Sequence, residues 1–474
     1  MLAATLALTA VTACATPQGS PSRAVSVWAS SADASRKLAH EDDLRLRPAS
    51  GAVDGVTVTV EPDKREQVMV GFGAAMTDAS AQLLETALPK AERDRLISEL
   101  FGRDGLALSF VRVPIGASDF SREHYSLDDM PSGRTDPGLA HFSMAKPMQA
   151  QIPVLKAAKA VNPNLALMAT PWSAPAWMKD TDSLIRGHLR PEVYPAFAAY
   201  FTRYLDAMAA QGVPVRWISV QNEPHFEPDN YPGMRFDPAD RARFIGEFLG
   251  PQLARRKTPV GILDWDHNWD QPESPLAVLS DPRARRYVSG IAWHCYAGDP
   301  SAMAAVHAAY PGKDVFFTEC SGGEWAPHWG ETLGWMIDNL VIAASRSGSR
   351  GTLLWNLALD ENHGPHLGGC GDCRGVVTID RKSGAITRNV EYYVLAHASH
   401  FLRPGARRIA SSQTDTIADV AFRNPDGTLI LLVHNRSGKP AGLTVREGGR
   451  EFHAVLPVGE VVTYTWQQAG KNNR

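Results

Sequence analysis

Two stretches of this chain run from apolar residues into a carboxylate. Trp217-Ile218-Ser219-Val220-Gln221-Asn222-Glu223-Pro224 ends in an amide and an acid, and Pro224 then removes the next ladder hydrogen bond. That pattern predicts a buried strand stopping at Glu223. Val315-Phe316-Phe317-Thr318-Glu319 closes the same way ahead of the flexible Cys320-Ser321-Gly322-Gly323. Two carboxyl groups at strand mouths have the chemistry to cleave an acetal. One protonates the leaving oxygen while the other attacks carbon or activates water, and a separation of about 5 Å or about 6.5–9.5 Å selects retention or inversion. No Ser-His-Asp order, Gly-x-Ser-x-Gly elbow or metal-ligand spacing competes with this pair. Asp264-Trp265-Asp266-His267 reads as a pocket wall, because adjacent strand residues alternate faces.

Such a pair must be positioned by the strands that carry it. Short apolar runs at 68–72, 108–113, 165–169, 217–221, 260–263, 291–294, 315–318 and 352–355 alternate with helix-period stretches. Val193, Phe197, Tyr200, Phe201, Tyr204, Leu205 and Met208 share one helix face, as do Leu333, Met336, Ile337, Leu340, Val341 and Ala344. Eight such alternations predict an α/β fold, a (β/α)8 TIM barrel, whose active face lies at the C-terminal strand ends. Those ends bring Arg112, Trp172, Asn222, Glu223, Asp264, Asp266, His294, Tyr296, Glu319, Trp355 and Asn356 to one rim. His397 and His400 read as surface or domain interface.

At 474 residues the chain exceeds a single core, and period-2 patterning at 56–60 and beyond Tyr393 predicts an accessory antiparallel β-sandwich built from both chain ends. The expected divisions are 1–14 export or lipoprotein signal, 15–34 Ser/Ala-rich tether, 35–66 first sandwich strands, 67–392 barrel and 393–468 remaining sandwich. The first strand is expected to end at Pro62. Met1 to Ala13 is too short to span a bilayer, and Val11-Thr12-Ala13-Cys14 resembles a bacterial lipoprotein signal with Cys14 as the lipidated residue. No Lys or Arg precedes that run, so an ordinary export signal is the other reading. Either places the protein in the periplasm or outside the cell, where the pair Cys370 and Cys373 can close a structural bridge. Cys295 and Cys320 read as buried thiols. A net charge of -3 offers no field for nucleic acid, and the twelve tryptophans suit flat sugar rings.

Gly71-Phe72-Gly73-Ala74-Ala75-Met76-Thr77-Asp78, Arg112-Val113-Pro114-Ile115-Gly116-Ala117-Ser118-Asp119-Phe120, Thr170-Pro171-Trp172-Ser173-Ala174-Pro175, Gln221-Asn222-Glu223-Pro224, Thr318-Glu319 and Trp355-Asn356-Leu357-Ala358-Leu359 together resemble glycoside hydrolase family 30, from about Gly71 to about Leu402. The resemblance implies a retaining β-glycosidase of glucosylceramidase type that needs no cofactor or metal. Glu223 would be its acid/base and Glu319 its nucleophile. It further implies that Asn222 holds the sugar 2-hydroxyl, that Arg112 orients the nucleophile beside Tyr296, and that Asp119, Trp172 and Trp355 cradle the sugar. Asp78, Phe120 and Asn356 are second choices. Glu223 is expected to carry a proton because the Glu319 charge raises its pKa. The implied substrates are a β-glucoside, glucosylceramide or β-glucan. Endo-β-1,6-glucanase, to which Tyr231-Pro232-Gly233-Met234 points, and β-xylosidase are alternatives. An inactive surface glycan-binding protein is the reading from another class.

Overall fold

The computed structural model describes residues 24–51 and 55–468, so Cys14 and the signal segment lie outside the described residues. Strands β1 (Ala24–Ser30), β2 (Ala39–Arg45), β3 (Arg47–Pro48) and β4 (Val56–Val68) precede the barrel. The barrel is closed and parallel throughout. It comprises β5 (Gly71–Ala75), β6 (Phe110–Ile115), β7 (Ala166–Pro171), β8 (Trp217–Ser219), β9 (Gly261–Asn268), β10 (Val288–His294), β11 (Asp314–Glu319) and, after the short β12 (Gly322–Gly323), β13 (Ser349–Leu354). Each of the eight predicted strands overlaps one of these. Four short strands follow. β14 (Ala358–Asp360), β16 (Val377–Ile379) and β17 (Ile386–Arg388) form a small sheet, and β15 (Cys373–Arg374) pairs with β12. The sandwich then resumes with β18 (Arg407–Ser411), β19 (Ile417–Arg423), β20 (Thr428–Asn435), β21 (Ala441–Glu447), β22 (Arg450–Leu456) and β23 (Val461–Gln467).

Barrel strands are buried on both faces, which is why β6, β7 and β11 read as continuous apolar runs rather than alternating ones. Their inward side chains Phe110, Met168, Trp217, Leu263, Phe316 and Leu353 pack together inside the barrel. Trp217 and Phe316 centre 5.1 Å apart, with Phe110 closing on both. This aromatic plug fills the barrel interior and leaves polar groups to the C-terminal strand ends. The outer helix Tyr194–Ala210 buries the predicted face, including Phe197, Phe201, Tyr204 and Met208.

The sandwich corrects three expectations. Residues 24–30, read as tether, form β1, whose Val25, Val27 and Ala29 point into the sandwich core while its backbone pairs with β23. The Ser/Ala-rich composition masked a true period-2 alternation. Strand β4 continues through Pro62 to Val68, because Pro62 falls where the register with β18 shifts between Ile409 and Ala410 and no ladder bond is asked of it. The boundary expected at 393 cuts the helix Val390–Ser399, whose Val394 and Leu395 belong to the barrel core. In that helix His397 is fully buried between Thr463 and Ser30, so it joins barrel to sandwich. His400 is part-buried on the backbone of Gly105. Among the described residues no helix is long and apolar enough to cross a membrane.

Candidate active site

The C-terminal strand ends converge on one buried ion network. Arg112, in β6, is fully buried; its Nη2 donates to Asn222 Oδ1 at 2.6 Å and to Asp266 Oδ2 at 2.8 Å, and its Nη1 donates to Glu319 Oε2. Burial alone would pull the guanidinium down, but Asp266 and Glu319 outweigh it and hold it above its ordinary value. Asp266 also accepts from Ser219 Oγ at 2.6 Å, Thr318 Oγ1 at 2.7 Å, Thr170 Oγ1 at 3.0 Å and His294 Nε2 at 3.0 Å. Burial opposes its charge, yet Arg112 and His294 keep its carboxyl below the usual carboxylate range. Asp264 does not share this face. Trp265 and Asp266 adopt positive φ of 77° and 52°, which breaks the strand alternation and sends Asp264 to a separate buried pair with Arg241.

Glu223 enters the cleft from a left-handed backbone position, φ 46°, its N–H donating to Asp266 O at 3.0 Å. Local strain of this kind persists where surrounding bonds over-determine it. Its Oε1 lies 3.1 Å from His294 Nδ1 and 3.5 Å from His267 Nδ1. His294 therefore bridges Glu223 and Asp266 through both ring nitrogens, and its Nε2 is 3.9 Å from Glu319 Oε2. An imidazole facing two carboxylates needs a second proton. Burial would lower His294, but the Glu319 charge and the Asp266 and Glu223 hydrogen bonds push it up to about 9. The proton thus resides toward His294. For Glu223, burial raises the carboxyl, while the nearby His267 ring and the His294 hydrogen bond carry it below the usual range. The expectation that Glu223 itself holds a raised pKa is overturned by a histidine that the strand pattern placed on the rim without a role. Glu223, His267 and His294 also bring ligand atoms within 4.8 Å of one another, a grouping able to hold a metal ion that sequence spacing did not reveal.

A cleft of about 550 Å³ opens above this network, lined by Glu223 and Glu319 together with Asp119, Trp172, Asn222, Tyr296 and Trp355 among others. Trp172 and Trp355 stack at 5.1 Å, and the Arg112 guanidinium lies 4.8 Å from the Trp172 ring. Asp119 is pushed up to about 8, first by burial and then by the Glu319 charge, so at neutral pH it can donate as well as accept. Tyr296 Oη donates to Glu319 Oε1 at 2.9 Å. The second choices fall elsewhere. Phe120 is fully buried edge-on to Trp355, and Asn356 is fully buried on Thr77 Oγ1. Asp78, which burial raises to about 6, accepts from Tyr125 and Ser121. These three support the cleft wall rather than line it.

Cys370 and Cys373 form the expected bridge. Cys295 and Cys320 are a second disulfide, not buried thiols, with Cα atoms 5.4 Å apart. The reason is register. β10 and β11 pair in parallel with His294 opposite Glu319, so the residues that follow each lie side by side. The bridge therefore ties together the two strand ends that carry His294, Tyr296 and Glu319. Phe226, Tyr231, His267 and Trp325 also line the cleft, and apart from His267, which is in β9, they sit on loops where no periodicity marks them.

Residues 69–402 match the Glycosyl hydrolase family 30 TIM-barrel domain and residues 405–464 the family's beta sandwich domain. The chain is 33% identical over 450 residues to Endo-1,6-beta-D-glucanase neg1 of Aspergillus fumigatus, spanning 89% of this chain and 90% of that protein. It is 29% identical over 447 residues to Lysosomal acid glucosylceramidase of Mus musculus, spanning 87% and 84%. The solved structure of the endo-beta1,6-glucanase BT3312 superposes with a TM-score of 0.87 at 30% identity, over 94% of this chain and 99% of that one. With both domains matched and such relatives running along most of its length, this protein belongs to glycosyl hydrolase family 30 and is a glycoside hydrolase.

Proposed function

We propose that the protein is a retaining endo-β-1,6-glucanase. The observation that carries this reading is its one-third identity, along nearly the whole chain, to relatives named endo-1,6-β-glucanases. The relative named a glucosylceramidase stands at 29%. The glucan reading thus takes precedence over the glucosylceramidase reading that the motifs alone favoured. In the proposed reaction the Glu319 carboxylate attacks the anomeric carbon as the bond to the leaving oxygen breaks. That oxygen receives a proton passed from His294 through Glu223. Arg112 and Tyr296 each hold one Glu319 oxygen and so aim it, while Asn222, whose Oδ1 is taken by Arg112, offers its Nδ2 to a sugar hydroxyl. Water then attacks the glycosyl ester, its proton returns to Glu223, and Glu319 is released.

Incubation with pustulan, a β-1,6-glucan, is expected to give short β-1,6-linked oligosaccharides from the first minutes, with the β-anomer formed first by NMR. Release of glucose alone, or faster cleavage of glucosylceramide or an aryl β-xyloside, overturns the reading. An initial α-anomer overturns retention.

We further propose export, which the two disulfides support, since such bridges persist in oxidising compartments, and, from the sequence around it, lipidation at Cys14. Fractionating cells that express Cys14→Ser should move the protein from membrane to soluble fraction; unchanged membrane association rejects the lipid.

A further inference from the structure

The cleft has a closed end and an open rim. Trp172 and Trp355, 3% and 4% exposed, mark the closed end, while Phe226 at 47%, Tyr296 at 46% and Trp325 at 55% mark the rim. The reacting sugar ring belongs at the buried end and the departing part of the substrate over the rim. Past Tyr296 and Trp325, which line both spaces, the cleft continues into a second pocket of about 460 Å³. The Cys295–Cys320 disulfide, Trp335 and Met336 line it, and Glu331 adds a carboxylate.

Both indoles are held on fixed backbone. The Trp325 ring lies directly on Gly323, where a Cβ would come 1.9 Å from it. Gly323 pairs with Cys373, and Glu324 N–H donates to Asp372 O at 2.9 Å, so the Cys370–Cys373 loop carries the Trp325 segment. Trp335 stands 47% exposed on the helix Trp329–Met336, which is anchored by buried Leu333 and Met336. Large aromatic plates left to water beside a reaction cleft are apolar surface awaiting a partner.

We infer that this second pocket binds a glucosyl unit on the leaving side of the scissile bond of a β-1,6-linked glucan. The inference rests on the endo-glucanase reading and adds where the departing chain is held. A pyranose has an apolar face to lay on an indole and hydroxyls to donate to Glu331, whereas an alkyl chain gains nothing from that carboxylate. The 1,6 link also contains the extra rotatable C5–C6 bond, which lets the second ring swing aside from the reacting one into a lateral pocket.

Trp335 lines the second pocket and not the reaction cleft, so Trp335→Ala tests the pocket while leaving the catalytic groups in place. Calorimetric titration of Glu319→Gln with gentiotriose, the β-1,6-linked trisaccharide, requires no turnover. Adding Trp335→Ala is expected to weaken binding about tenfold. Trp335→Phe should retain most of the affinity, and Trp335→Ala alone should hydrolyse β-glucosyl fluoride, whose leaving group cannot reach the pocket, within about twofold of wild type. Equal affinity with and without Trp335, no binding to Glu319→Gln, or an equal loss on glucosyl fluoride overturns the inference. So does a loss confined to a dodecyl β-glucoside, which would assign the pocket to an acyl chain. Failure of the endo-glucanase reading appears instead in the pustulan products, an independent assay.

Discussion

Glu319→Gln is expected to lower turnover of every β-glucoside by about 10⁴- to 10⁶-fold, including substrates with excellent leaving groups, because no covalent intermediate can form without the attacking carboxylate. Glu223→Gln should behave differently. Loss of the group that delivers and recovers the proton is expected to cost about 10²- to 10⁴-fold on an unactivated glucan, yet much less in the first step on a dinitrophenyl β-glucoside, which departs without protonation. The glycosyl-enzyme then accumulates, and azide, a nucleophile that needs no general base, should restore turnover and yield β-glucosyl azide. The two variants separate because Glu319 is gripped by Arg112 and Tyr296 whereas Glu223 faces His267 and His294. An azide adduct from the Glu319 variant would exchange the assignments. Equal loss on activated and unactivated substrates in the Glu223 variant would remove its role as acid.

The barrel and its two carboxylates were legible because they rest on local signals. Buried parallel strands must be apolar on both faces, and the apolar runs broke at Glu319, the last residue of β11, and at Glu223, which stands four residues past the end of β8 at Ser219 rather than closing the strand as expected. What escaped depends on relations between strands. Asp266 becomes the hub only because two positive φ angles turn it inward, and no periodicity encodes a local change of hand. Cys295 and Cys320 are partners only through the β10–β11 register, although each stands one residue past a strand-end acid or histidine, a signal that could have been used. His294 ends β10 but is fully buried beneath the cleft, and its function as a bridge requires knowing that Glu223 and Asp266 flank it on opposite nitrogens. Asn356 and Phe120 were misplaced for a complementary reason. A strand-end position suggests the cleft, but Asn356 has φ 55° and turns onto Thr77, while Phe120 packs behind Trp355.

Asp266→Asn should produce the largest loss among residues that touch no reacting atom. The substitution keeps the shape of the side chain but removes a fully buried charge and places an NH₂ among donors from Arg112, Ser219, Thr170, Thr318 and His294, at least one of which is left unsatisfied. Breaking one partner of a buried ion pair costs about 3–5 kcal/mol of folding stability. The effect on pH dependence identifies the mechanism. His294 is raised from 6.5 to about 9 in the folded protein, so its contribution is fully present below pH 6.5 and is lost as pH rises through 9. In wild type that loss amounts to about 3 kcal/mol across the interval. Removing the Asp266 charge and acceptor lowers the folded pKa of His294, so Asp266→Asn should flatten this slope in urea titrations while lowering kcat about 10²-fold or more. The alkaline limb of its kcat profile should also move to lower pH, because the proton that Glu223 delivers is then held less tightly. A variant that loses stability equally at pH 6.5 and pH 9, with its alkaline limb unmoved, would show Asp266 to be a packing residue and leave His294 without a part in the proton's route.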